Sequence, residues 1–232
     1  MAAAEDAGGG GGFSHPAALS LLVADGLTQR FGREVALDSV DMVLDSEEHI
    51  AVLGENGAGK TTLLRILATA ARPTSGRLEI FGLDAFRERR RLRRRIGFVA
   101  HALGLYPALS ALENLEFFCD LHGVDRSSAP FALETVGLSE WGQRRAGLLS
   151  RGSQQRLAIA RAILHDPKLL VLDEPDASLG SDAGDLLARI MQGRTVILAT
   201  HDHALANRLC PRTLVLRHGR SVGTATRLRV VR

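Results

Sequence analysis

The stretch GENGAGKTT, residues 54–62, constrains this chain more than any other. It fits G-x-x-x-x-G-K-[ST], follows the short apolar run HIAVL (49–53), and opens KTTLLRILATAA, whose apolar spacing predicts a helix ending before Pro73. A strand running into a glycine loop and then a helix is the context in which such a loop cradles phosphates. Gly54, Gly57 and Gly59 permit turns that point successive N–H groups inward, with Glu55, Asn56 and Ala58 completing the loop. The helix behind adds a positive end of about half an elementary charge. Lys60 is placed to neutralise phosphate oxygens, and the Thr61 hydroxyl, beside Thr62, to help hold Mg²⁺. Only two of the 29 Lys and Arg residues are lysine, so an ammonium at position 60 stands where guanidinium is otherwise the rule.

LLVLDEP (169–175) supplies the second half of the machinery. It reads as a buried strand ending in two acids. Asp173 at the strand end suits a Mg²⁺ shell, and Glu174 is placed to act as general base on the water that attacks a γ-phosphate. No N-K-x-D guanine-reading motif is present, which favours ATP over GTP. A third segment, LLSRGSQQRLAIARAI (148–163), opens a helix with serine and glycine, as an N-capped core helix or an anion-binding helix start does. One chain thus carries a phosphate loop and a second candidate anion site.

Around these motifs SLLVADGLTQRF and EVALDSVDMVL predict two strands joined by a glycine turn, and RLEIFG and RIGFVA two more. Helix signals dominate from 110 to 165: Ser110 and Glu113 form a capping box, and FALETVGL follows Pro130. TVILATHD (195–202) predicts a further strand, and TLVLRHGRSVG a closing hairpin. Residues 1–19 are small, flexible and free of basic residues, and read as a disordered tail rather than a signal peptide. No window approaches eighteen apolar residues, and the two separated cysteines fit a reducing compartment. RERRRLRRR (87–95) is the one local excess of charge under a net charge of +3. It reads as a solvated helix face or as attraction to anionic lipid headgroups. Nucleic acid is the weakest reading, because no aromatic platform accompanies the arginines.

Over residues 20–220 the sequence resembles the ATP-binding subunit of an ABC transporter, whose signature L-S-G-G-Q-x-Q-R is met here by LSRGSQQR (149–156). The resemblance implies an α/β fold: a P-loop NTPase core with an antiparallel β subdomain and an α-helical subdomain at about 105–160, within a nucleotide-binding domain of 20–225 and before a short tail, 226–232. It implies a head-to-tail dimer in which each ATP lies between one P-loop and the partner's signature helix. Ser150, Gly152 and Ser153 would then face a nucleotide held in trans, which accounts for the second anion site. Phe31 matches the aromatic that stacks on adenine, though a core or turn phenylalanine is the rival reading. His201 matches the histidine that contacts the γ-phosphate. Three departures stand out: His101 replaces a glutamine among the expected metal-shell positions, Ser153 replaces glutamine, and Gly180 in DASLGSD replaces the aspartate that links the two sites. Asp182 is a possible substitute two residues on.

RIGFVAHALGLYPALSALENLEFFCDLHGV and LSRGSQQRL are most similar to haem-exporter ATPases of cytochrome c maturation, while drug-exporter ATPases share the EN-L helix and short length. The resemblance implies membrane partner subunits docking near 101–122, through His101, Leu105 and Tyr106. It places the chain peripherally on the cytoplasmic side of the cell membrane, with no nucleic-acid partner. The transported substrate is not readable from the residues.

Overall fold

The computed structural model describes residues 20–226. The expected tails, 1–19 and 226–232, lie outside the described residues apart from Thr226. In chain order the elements are β1 (Ser20–Phe31), β2 (Glu34–Asp45), β3 (His49–Leu53), α1 (Lys60–Leu67), β4 (Ser75–Ile80), β5 (Leu83–Asp84), α2 (Arg89–Arg93) and β6 (Ile96–Val99). There follow α3 (Ala111–His122), α4 (Ser128–Thr135), α5 (Arg151–Ile163), β7 (Leu169–Asp173), α6 (Ala183–Met191), β8 (Thr195–Ala199), α7 (His203–Leu209), β9 (Arg212–Arg217) and β10 (Arg220–Thr226).

Two sheets result. A four-stranded antiparallel sheet has the order β2-β1-β4-β5, and a six-stranded sheet the order β10-β9-β3-β8-β7-β6. In the larger sheet β9, β3, β8, β7 and β6 are parallel and β10 closes it as an antiparallel edge. Its central strands β3, β8 and β7 are near-continuous apolar runs, interrupted only at their ends by His49, Thr195 and Asp173, because both faces are covered. Ala51, Leu53, Leu170, Leu172, Val196 and Leu198 enter one core with α3 to α7, while Ile50, Val52, Leu169, Val171, Ile197 and Ala199 enter the other with α1 and the small sheet. Helix α1 lies between the sheets, against β7 and β8 on one side and β2 on the other.

Several boundaries differ from the sequence expectations. α1 stops at Leu67, since Thr69 takes a left-handed φ of 56°. α4 begins at Ser128, so Pro130 sits in its first turn, where a missing N–H costs nothing. β8 ends at Ala199, and the short β5 had no sequence signal. α5 continues to Ile163 and packs on β6.

Candidate active site

The parallel strands end level at one edge: Val52 pairs with Ala199, Ala199 with Asp173 and Leu172 with Val99. The loops beginning at Gly54, Ala100, Glu174 and Thr200 therefore open on the same side, where open α/β sheets take their ligands. Gly59 N-caps α1 at φ 103°, and a Cβ there would lie 2.4 Å from the Ala36 carbonyl of β2. No other residue fits that approach. Glu55, Asn56, Gly57 and Thr61 are exposed along the loop, whereas Ala58 is buried in the core beneath it and offers backbone only. Lys60 is buried, and its Nζ donates to the carbonyls of Gly54 (2.7 Å) and Glu55 (3.1 Å). Its ammonium therefore lies within the curl of the loop.

At the end of β7, Asp173 is buried and neither carboxylate oxygen has a hydrogen-bond partner. Burial raises its pKa above 3.8; the Thr61 hydroxyl pulls it back without reaching hydrogen-bond geometry, Glu174 raises it further, and His101 and Lys60 oppose. An orphaned carboxylate beside a threonine hydroxyl offers hard oxygen donors suited to Mg²⁺. Glu174 follows at φ 51°, a left-handed conformation for a non-glycine residue, and its Oε1 lies 2.8 Å from His201 Nε2. His101 Nδ1 is 3.9 Å from Oε2 on the other side. The backbone here is pinned: the Glu174 N–H donates to the Ala199 carbonyl (2.8 Å), and the buried Gln155 side chain of α5 donates to the carbonyls of Pro175 (3.1 Å) and Glu174 (3.5 Å).

The start of α5 is tied to the same turn. Ser150 caps it, its Oγ accepting from the Ser153 N–H at 3.1 Å and donating to Ser153 Oγ at 3.0 Å. Gly152 packs so closely that a Cβ would meet the Ser178 carbonyl at 2.4 Å. His101, Gln154, Arg151, Glu174 and Ser178 line a cavity of about 350 Å³ between the two motifs.

Residues 37–177 match the family model described as ABC transporter. The ABC transporter ATP-binding protein NatA of Bacillus subtilis is 31% identical over 194 residues, covering 79% of each chain. The bacitracin transport ATP-binding protein BcrA of Bacillus licheniformis is 36% identical over 185 residues, 78% of this chain and 60% of BcrA. The dimeric ATP-binding cassette MJ0796, solved in a post-hydrolysis state with ADP and Pi, superposes with a TM-score of 0.82 at 28% identity, covering 88% of this chain and 98% of that one. This chain belongs to the ABC transporter family. It is an ATP-binding, ATP-hydrolysing ABC ATPase.

The remaining family positions fall as follows. Phe31 ends β1 at 59% exposure, so the core reading of this residue is wrong. Tyr106 is exposed and packs edge-on to Phe117 at 4.9 Å between centroids, and Leu105 is half-buried beside it. Thr62 is half-buried in the first turn of α1. Gly180 takes a left-handed φ of 79° in open space. Asp182, two residues on, pairs with Arg156, whose Nη2 donates to both its oxygens at 2.7 and 2.5 Å. Gln155 was missed from the sequence: the signature motif showed the residue, but only the fold brings it to the Glu174 turn.

Proposed function

We propose that two copies of this ATPase close head to tail around two ATP molecules and hydrolyse them, driving export through membrane partner subunits. The observation that carries this reading is the Glu174 carboxylate, held by His201 at the strand end beside the orphaned Asp173. The loop amides of 54–62 and Lys60 bind the β- and γ-phosphates, and Phe31 offers its exposed ring to adenine. Thr61 and Asp173 would hold Mg²⁺, with His101 as a further candidate ligand; when bound, the ion would offset charge on the phosphate oxygens. Glu174 takes the proton of the attacking water, and His201 orients that water and meets the γ-phosphate. Ser150, Gly152, Ser153 and the amides of the α5 start close over the nucleotide of the partner subunit. Glu174→Gln tests the reading: with ATP and Mg²⁺ it should elute as a stable dimer without turnover. A variant that stays monomeric, or that turns over normally, rejects it.

The cargo we infer is haem for cytochrome c maturation. The support is the run from Arg95 to Val124 together with LSRGSQQRL. Among the described residues no helix is long and apolar enough to cross a membrane, and we place the chain peripherally on the cytoplasmic side of the cell membrane, beside its partner subunits. Two other readings have specific support. The likeness to BcrA favours a drug exporter. Gly180, with Asp182 paired to Arg156, favours an ATP sandwich with slow turnover. Restored covalent haem attachment in a strain lacking its haem-export ATPase supports haem; gain of drug resistance alone supports the first alternative. A dimer that forms but turns over far below ordinary transporter ATPases supports the second.

A further inference from the structure

The run 87–95 divides its arginines between two tasks. Leu92 is fully buried, and Arg89 and Arg93 bind carbonyls of the turn that follows α1: Arg89 Nε to Thr69 O at 2.7 Å, Nη2 to Ala70 O at 3.2 Å, and Arg93 Nη2 to Thr69 O at 3.3 Å. Each is a charge-assisted hydrogen bond to a backbone carbonyl. These two side chains are struts that fix α2 to the body of the protein.

Arg90 and Arg91 of α2, and Arg87 and Arg94 that flank it, are all exposed. Arg87 lies 3.8 Å from Asp84; Arg90, Arg91 and Arg94 have no acidic partner among the described residues. Glu88 is the run's one acid. The uncompensated charge reaches beyond α2, since Arg94 helps depress the pKa of His122 at the end of α3, behind burial and Arg161.

We propose that this face of α2 is a contact surface for anionic phospholipid headgroups. Exposed guanidinium groups with no internal counter-charge gain most from a surface of phosphates, each arginine contributing through the negative potential of the bilayer. Nucleic acid fits less well, because the neighbouring rings are already covered: Arg95 Cζ sits 3.6 Å over Phe81, and Arg72 Cζ 5.9 Å from the Phe86 centroid. No free ring remains there for a base to stack on. The inference draws on the transporter reading only for the presence of a bilayer nearby.

Cosedimentation of the full chain, without nucleotide, with vesicles of equimolar phosphatidylglycerol and phosphatidylcholine tests it. Binding is expected there, and not to phosphatidylcholine alone. The combined variant Arg90→Ser, Arg91→Ser, Arg94→Ser should lower partitioning about a hundredfold. A control removing the same charge from Arg33, Arg189 and Arg217 should retain it within a few fold. Equal losses in both variants overturn the proposal, as does absence of vesicle binding with retained binding to a single-stranded DNA oligonucleotide. Because ATP does not enter the measurement, failure here leaves the Glu174→Gln dimer result standing, and the reverse.

Discussion

His201 Nε2 lies 2.8 Å from Glu174 Oε1, joining the ends of β8 and β7, while the Glu174 backbone holds a φ of 51°. Such a backbone costs about 1–3 kcal/mol and persists only where its surroundings enforce it. The carboxylate direction is thus set twice, by the imidazole beside it and by the turn beneath it.

The imidazole half of that arrangement is tested by His201→Ala. Removing it leaves the loop and Lys60 intact, so ATP affinity should stay within a few fold. Turnover at saturating ATP should fall by about 10²–10⁴, because the general base Glu174 and its water lose the group that positions them. Nucleotide-binding fluorescence and phosphate release measure the two separately. A weakened affinity with unchanged turnover would place His201 in ground-state binding instead.

The turn itself depends on Gln155. Gln155→Leu removes the donations to Pro175 O and Glu174 O, leaving buried carbonyls at a cost of about 1–3 kcal/mol. Glu174 then loses its fixed direction, so kcat should drop at least tenfold with KM for ATP little changed. Chemical denaturation reads the stability and steady-state kinetics the split. A variant that loses stability but keeps kcat would make Gln155 structural only.

These two residues differ in how far the sequence reveals them. Lys60, Asp173 and Glu174 are legible because each lies within a contiguous motif whose strand-loop-helix setting is itself visible. The two-sheet architecture is legible in its strands but not in its layering, since an apolar run such as LLVLD says only that both faces are buried. Position 155 carries a familiar letter, yet its partners stand nineteen and twenty residues away across a fold. The partner of Asp182 is hidden for the same reason. The spacing of Asp182 suggests a substitute for the missing aspartate, and only the structure shows Arg156 holding it.

Gly152 tests whether the α5 start acts as one piece with the loop after Pro175. Gly152→Ala would place a Cβ 2.4 Å from the Ser178 carbonyl, a backbone atom with little room to give. The two segments must separate, at a cost of about 1–3 kcal/mol. ATP affinity of the monomer should persist, whereas the ATP-dependent dimer seen with Glu174→Gln should be lost when both substitutions are combined. Retention of that dimer would detach Gly152 from the closing face.

Acid sensitivity should centre on His165. Its ring stacks on His122 at 4.0 Å between centroids, Nε2 donates to the Ile96 carbonyl at 3.1 Å, and Nδ1 is buried without a partner. Burial foremost, then the charge of His122, lowers its pKa from 6.5 to about 4; Arg194 adds to this, while the Ile96 carbonyl and Asp166 oppose it. The folded protein therefore keeps His165 neutral where the unfolded chain takes up a proton. Between pH 6.5 and about 4 the unfolded state binds more protons, so stability falls as pH falls through that window. From pH 7 to pH 5 the loss from this residue should be about 2 kcal/mol. His165→Gln retains a donor for the Ile96 carbonyl and removes the titration. Urea unfolding at both pH values should show a clearly smaller drop in the variant than in the parent; equal drops would assign the acid sensitivity elsewhere.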